Sequence, residues 1–293
     1  MDNGIKVVSL FDGKACGLQA LKEQGIRVAE YHAFENDKYA MQIANKNHPE
    51  IIQHGEVTFM TDFSQFKDVD LLLAGSPCQG FSYAGKQLAF NDPRSQLFFE
   101  FVRAKKDIKP KSFLLENVKM QQKFTDTITN YVGVPPILIN SALVSAQNRV
   151  RNYWCNWKVE QPEDKGIYLK NILQSDNEAD FSFLSKKALE YMNKEVRGGR
   201  NHWDFMHHSD SAKEKSSTVV SNFFKGAPYN VLIHQGKIRR FTPVECERLQ
   251  GLPDNYTGGV SNTQRYKMLG NGWNVPTIKH IFSQNKYLME YAK

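Results

Sequence analysis

Between residues 5 and 118, short apolar runs alternate with helical patterns, and nearly every run ends in a glycine-rich or polar turn. The runs are Ile5 to Leu10, Tyr31 to Phe34, Leu71 to Ala74 and Ser112 to Leu115. Helical patterns lie between them at Leu18 to Glu23, Asp37 to Asn45 and Ser95 to Lys106. In the last of these Leu97, Phe98, Phe101 and Val102 fall on one face and Arg103, Lys105 and Lys106 off it. This alternation predicts an α/β fold with a doubly wound, mostly parallel sheet. In such sheets ligands sit beyond the carboxyl ends of the strands. Three of those ends carry unusual residues: Phe11 to Gly17, Gly75 to Cys78, and Glu116-Asn117-Val118.

The alternation stops from about Glu160 to Gly236, a stretch with Gly198-Gly199, His207-His208 and many Ser and Asn but no clear period. Regular structure returns at Thr242, a plausible N-cap followed by Pro243 at the first helical position and Glu245 three residues on. A closing helix is expected from Pro276 to Tyr287. The 293 residues therefore read as a large α/β domain over 1–158, a small irregular region over 159–238, and a C-terminal segment, 239–293, returning to the first domain.

No apolar stretch approaches the ~18–20 residues of a membrane span, and the start of the chain fits no secretory signal. Cys16, Cys78, Cys155 and Cys246 are widely spaced, which argues against a disulfide framework or zinc site and for a reducing compartment. The expectation is a cytoplasmic, monomeric protein. The net charge of +7 is a weak hint of a polyanionic partner. Its distribution says more: from Lys186 to Arg240 eleven Lys and Arg face five acids, which leaves the rest of the chain near neutral.

Phe11-Asp12-Gly13-Lys14-Ala15-Cys16-Gly17 is a turn whose backbone amides can approach a ligand, or simply a tight strand-to-helix turn. Glu35, ending the next strand, stands where a carboxylate accepts from ribose hydroxyls. The full Gly-x-Gly-x-x-Gly fingerprint is absent, which disfavours a NAD-dependent oxidoreductase and favours another adenosine-bearing cofactor. Cys78 follows a strand end between Pro77 and Gly80; a lone cysteine is usually a small core hydrophobe, but here it is placed to be a nucleophile. The polar stretch Tyr83 to Arg94 after it suits a lid. Glu116 is costly at the end of a buried strand unless paired or functional. Arg149 and Arg151, two apart, share one face if they lie on a strand, presenting two donors to one substrate or lining a solvated edge.

Together these segments resemble the cytosine-5 DNA methyltransferases, with the motifs in family order and at both ends of the chain. Phe11 to Gly17 is similar to the family's cofactor loop, and Gly75-Ser76-Pro77-Cys78-Gln79 to its nucleophile motif. Glu116-Asn117-Val118 and Gln147-x-Arg149-x-Arg151 match two further motifs. Arg239 to Pro253 resembles the helix that organises the recognition region, and Leu269 to Pro276 the cofactor-closing motif. Ser76, the longer cofactor loop and Trp273 resemble the animal de novo branch, whereas Gln79 to Arg94 looks bacterial, a mixture that suits a compact prokaryotic or phage enzyme. Two departures are Gly55-Glu56 for the usual Gly-Asp, and Asn36 where an aromatic residue often stacks on adenine.

The resemblance implies a Rossmann-like fold, catalysis and cofactor binding by residues 1–158, target recognition by 159–238, S-adenosyl-L-methionine as cofactor, duplex DNA as partner and no metal. It implies catalytic roles for Cys78 as nucleophile, Glu116 at the base edge, and Arg149 and Arg151 at the base and its backbone. Cofactor contacts are implied for Phe11, Asp12, Gly13, Lys14, Ala15, Cys16, Gly17, Glu35, Asn36, Glu56, Val57, Asn271, Gly272 and Trp273. Gln79, Ser82, Lys86, Arg94, Lys237, Arg239 and Arg240 are expected to touch DNA. His202, His207 and His208 lack partners at ligand spacing and read as DNA-facing or solvated. A tRNA cytosine-5 methyltransferase shares the same motif set, and a catalytically inactive DNA-binding homologue is disfavoured because the motifs are intact. The recognition sequence is not periodic information; CpG or GpC is the expectation the resemblance suggests.

Overall fold

The computed structural model describes residues 4–76, 97–178, 181–197, 200–201, 207–209, 214–225 and 230–292. The chain divides into two compact units. The first comprises 1–140, 150–162 and 277–293, and the second 141–149 and 163–276.

The first unit is built on a seven-stranded sheet. Its strands are β1 (Ile5–Leu10), β2 (Val28–Phe34), β3 (Ile52–Gly55), β4 (Leu71–Ala74), β5 (Ser112–Val118), β6 (Ile137–Asn140) and β7 (Val150–Cys155). The order is β3-β2-β1-β4-β5-β7-β6, and β7 alone runs antiparallel to its neighbours. Central strands of such a sheet are covered on both faces and so read as continuous apolar runs. Every residue of β4, Leu-Leu-Leu-Ala, is fully buried.

Helices α1 (Cys16–Glu23), α2 (Lys38–Asn47), α3 (Phe98–Ile108) and α4 (Gln122–Val132) connect the strands. In α3 the buried residues are Phe98, Phe101, Ala104 and Ile108, the one-face spacing of an amphipathic helix. The Asp37 carboxylate caps α2 by accepting from the amides of Tyr39 and Ala40. The expected closing helix is two: α8 (Val275–Ser283) and α9 (Lys286–Met289). The break occurs because Asn285 accepts from the Leu288 amide and starts a new helix.

The second unit holds α5 (Lys186–Met192), short strands β8 (Glu195–Arg197), β9 (Arg200–Asn201) and β10 (His207–Ser209), and the hairpin β11 (Asn230–His234) and β12 (Lys237–Arg239). It also holds α6 (Pro243–Leu249) and α7 (Asn262–Asn271). Thr242 and Glu245 form the expected capping box at α6. The chain returns to the first unit at Thr277, later than the residue 239 suggested by sequence. Residues 239–276 stay in the second unit, where buried polar contacts hold them.

Candidate functional site

In the first unit the carboxyl ends of β1, β2 and β3 present Phe11 to Gly17, Glu35-Asn36 and Glu56-Val57. Phe11, Gly13 and Ala15 have φ of 58°, 62° and 63°. For Phe11 and Ala15 this left-handed backbone costs roughly 1–2 kcal/mol each, and strain of this kind concentrates at functional turns. Glu35 holds the turn: Oε2 accepts from the Gly13 amide at 2.8 Å, and Oε1 from the amides of Asn36 and Asp37 at 2.9 and 2.8 Å. Asn36 donates to Glu56, whose other oxygen accepts from the Thr58 amide. Lys14, Ala15 and Cys16 are buried, and Val57 belongs to the core beneath.

Asp12 is the anomaly of this turn. Its Oδ1 accepts from Ser9 Oγ and Tyr31 Oη, both at 2.6 Å. Burial pushes the carboxyl up to about 6 against those two bonds, with the Glu35 charge adding to the rise. Oδ2 is buried and, among the described residues, accepts no hydrogen bond. A buried acceptor of this kind is an expensive feature.

Beyond β4, residues 77–96 lie outside the described residues, and with them Cys78, Gln79, Ser82, Lys86 and Arg94. The chain is described up to Ser76, whose Oγ accepts from Asn117 Nδ2 at 3.0 Å. This contact ties the approach to the cysteine motif to β5, a role the sequence did not suggest for Asn117. One residue earlier in β5, Glu116 pairs with Arg151 of β7, Nε to Oε1 3.1 Å. The register puts Val118 opposite Arg151 and Glu116 opposite Tyr153, so the two side chains are diagonal neighbours on one face. Asn152 adds a bond from Nδ2 to the Val118 carbonyl at 3.2 Å.

Arg149 lies outside β7. Strand β7 begins at Val150, one residue after it, and Arg149 is 2% exposed. Within the second unit it donates to the carbonyls of Val219, Gly270 and Gly272. The expectation that Arg149 and Arg151 lie on one strand is thus corrected, because β7 begins at Val150. Asn271 is exposed at the end of α7, Gly272 and Trp273 are half-buried, and Asn274 is buried.

Of the cationic residues expected to meet DNA, Arg239 is also corrected. It is 2% exposed and forks onto Glu245, with two N–O distances of 2.9 Å and a fully buried carboxylate. Such a pair is internal, and its burial keeps the guanidinium from a phosphate. Arg240 donates to the carbonyls of Phe223 and Lys225. Lys237 is exposed on β12, its Nζ 5.7 Å from the Phe183 ring centre. Among the described residues no group of three His, Cys, Asp or Glu side chains is placed to hold a metal ion.

A family model for C-5 cytosine-specific DNA methylases matches residues 5–134 and 137–286. The chain belongs to that family. This methylase is 31% identical to the type II methyltransferase M1.ScrFI of Lactococcus lactis subsp. cremoris, over 98% of its own length and 79% of the relative's. It is 27% identical to M.HhaI of Haemophilus parahaemolyticus, covering 95% of this chain and 93% of that one. Its fold is that of the crystal structures of DNMT2 from Spodoptera frugiperda and S. pombe, each with a TM-score of 0.74. The first is 21% identical and covers 96% of this chain and 99% of its own; the second is 18% identical and covers 98% of each.

Proposed function

We propose that this methylase transfers a methyl group from S-adenosylmethionine to carbon 5 of cytosine in duplex DNA. The observation that carries the reading is the Glu116–Arg151 pair, a carboxylate and a guanidinium held together on β5 and β7. It supplies both acceptor and donor character for one edge of a pyrimidine.

The residues fit the cofactor. S-adenosylmethionine is rich in hydrogen-bond donors, an ammonium and ribose hydroxyls, and the turn offers acceptors: the buried Asp12 Oδ2, which accepts no bond among the described residues, and the carboxylates of Glu35 and Glu56. Phe11 to Gly17, Glu35, Asn36, Glu56 and Val57 would hold it. Asn271, Gly272 and Trp273 take the same role from their motif. When bound, the cofactor supplies a methyl group made electrophilic by its sulfonium.

The protein's own part is to make carbon 5 nucleophilic. The Cys78 thiolate adds to carbon 6 of the ring, and the displaced electron pair becomes available at carbon 5. Glu116 engages ring nitrogen 3 and the exocyclic amine, and Arg151 the ring carbonyl, where charge develops. Preorganised donors of this kind are worth ~3–4 kcal/mol each. Once carbon 5 is methylated, its proton leaves to a base and Cys78 departs as the thiolate. The reacting atoms are out of reach inside a duplex, so the cytosine is flipped out. Gln79, Ser82, Lys86 and Arg94, with Lys237, are assigned to the DNA.

Cys78→Ala should abolish methylation while S-adenosylmethionine still binds. Plasmid from cells expressing the variant, read by bisulfite sequencing, checks it; retained methylation overturns the assignment. Duplex containing 5-fluorocytosine should trap a covalent adduct on the Cys78 peptide. Methyl incorporation into tRNA and none into duplex DNA would overturn the choice of substrate.

A further inference from the structure

We propose that Arg149 is a positioning residue that fixes the backbone of two segments, residues 219–221 and 270–274, and does not touch the target base. The inference rests on the cofactor role proposed above for Asn271 to Trp273. Helix α7 ends at Asn271, and the last carbonyls of a helix lack partners within it. Here side chains from elsewhere in the second unit supply them. Gln250 Nε2 donates to Leu269 O at 2.7 Å, and Arg149 Nη2 to Gly270 O at 3.1 Å and to Gly272 O at 2.8 Å. A cation at this end of the helix also meets the favourable end of its dipole.

The other arm of the same guanidinium donates to Val219 O at 3.1 Å. The Val219 amide in turn donates to Gln147 Oε1 at 2.8 Å, so both backbone groups of Val219 are fixed by the Gln147-x-Arg149 pair. Gln147 Nε2 donates to Leu249 O at 3.2 Å and Asn274 Nδ2 to the same carbonyl at 3.0 Å. Gln147, Gln250 and Asn274 are all 1% exposed or less. At Gly270 the backbone of Val220 and Ser221 packs so closely that a Cβ would come within 2.2 Å of it. One buried network thus holds the cofactor-motif segment and a piece of the recognition region as a block. Buried networks of this kind are rigid only while every member is satisfied.

Arginine is the side chain this geometry needs. Its planar fork sends donors to carbonyls of different segments at once, whereas a lysine ammonium is a single point charge on a flexible stem. Arg149→Lys should therefore loosen both segments without removing the charge.

The test is steady-state methylation of duplex DNA by Arg149→Lys, alongside Arg151→Lys. For Arg149→Lys the KM for S-adenosylmethionine should rise about tenfold or more with kcat within about threefold, while Arg151→Lys loses kcat at unchanged cofactor KM. Amide hydrogen exchange in Arg149→Lys should quicken over 218–222 and 269–275. A fall in kcat with unchanged cofactor KM places Arg149 on the base and overturns the proposal. A second measurement uses the unmodified enzyme and so stands if the variant fails to fold. Adding S-adenosylhomocysteine should slow exchange over 218–222 together with 269–275; protection confined to 269–275 overturns the proposal. If the unmodified enzyme methylates no cytosine, the functional reading itself fails, an outcome distinct from these.

Discussion

The Nε of Arg151 stands 3.1 Å from Oε1 of Glu116, with the two side chains 13% and 10% exposed. Each therefore depends on the other for charge compensation in a poorly solvated place. Removing either should cost activity well beyond what it costs stability. Arg151→Ala and Glu116→Gln are each expected to lower methyl incorporation about a hundredfold or more. A tritiated-methyl assay with a parallel thermal melt checks this; a variant that folds and keeps activity within about threefold would sink the assignment.

Asp12 has its carboxyl raised to about 6, so folding favours its protonated form. The stability this contributes is present at acid pH, below the unfolded-state value near 4, and is lost as pH rises through about 6. Asp12→Asn keeps an acceptor for Ser9 and Tyr31 and cannot ionise. The variant should therefore gain on the ligand-free parent by roughly 1–3 kcal/mol between pH 4 and pH 7. Urea melts across that range measure it, and a constant gap would refute it.

Arg239 and Lys237 are two residues apart on β12 but should behave oppositely. Arg239→Ala leaves the buried Glu245 carboxylate without its fork and should destabilise by about 3–5 kcal/mol. Lys237→Ala should leave the melting temperature unchanged and lower the slope of log K against log salt for DNA binding by about one. Thermal melts and fluorescence anisotropy over a salt series separate the two. A stable Arg239→Ala with weakened DNA binding would contradict the internal role.

Gly270→Ala gives a test whose sign discriminates. Helix propensity alone predicts that alanine in α7 stabilises by about 1 kcal/mol. The structure predicts a loss of about 2 kcal/mol or more, because the new Cβ would fall 2.2 Å from Val220 and Ser221 backbone atoms, which cannot swing aside as a side chain tip can. Chemical denaturation decides between them.

Much of the fold is legible in the chain because its signals are local. The apolar runs of β1 and β4, the helical pattern from Asp37 and the Thr242–Glu245 capping box each lie within a few residues, and local stereochemistry fixes them. Glu35 was legible too, as an acid ending the second strand, although its bond to the Gly13 amide was not. The break between α8 and α9 was missed because a single Asn285 cap interrupts an otherwise helical stretch.

By itself the sequence determined the parallel α/β architecture, the family and the order of its motifs. Tertiary structure alone decided which charges are available. Arg149 spends its donors on carbonyls 70, 121 and 123 residues away, and Arg239 is cancelled by Glu245 inside the second unit, so part of a basic segment is not basic at its surface. A motif records residue types at fixed spacing. Burial and hydrogen-bond partners depend on which distant backbone groups the closed fold brings within hydrogen-bond reach, and spacing along the chain carries no information about that.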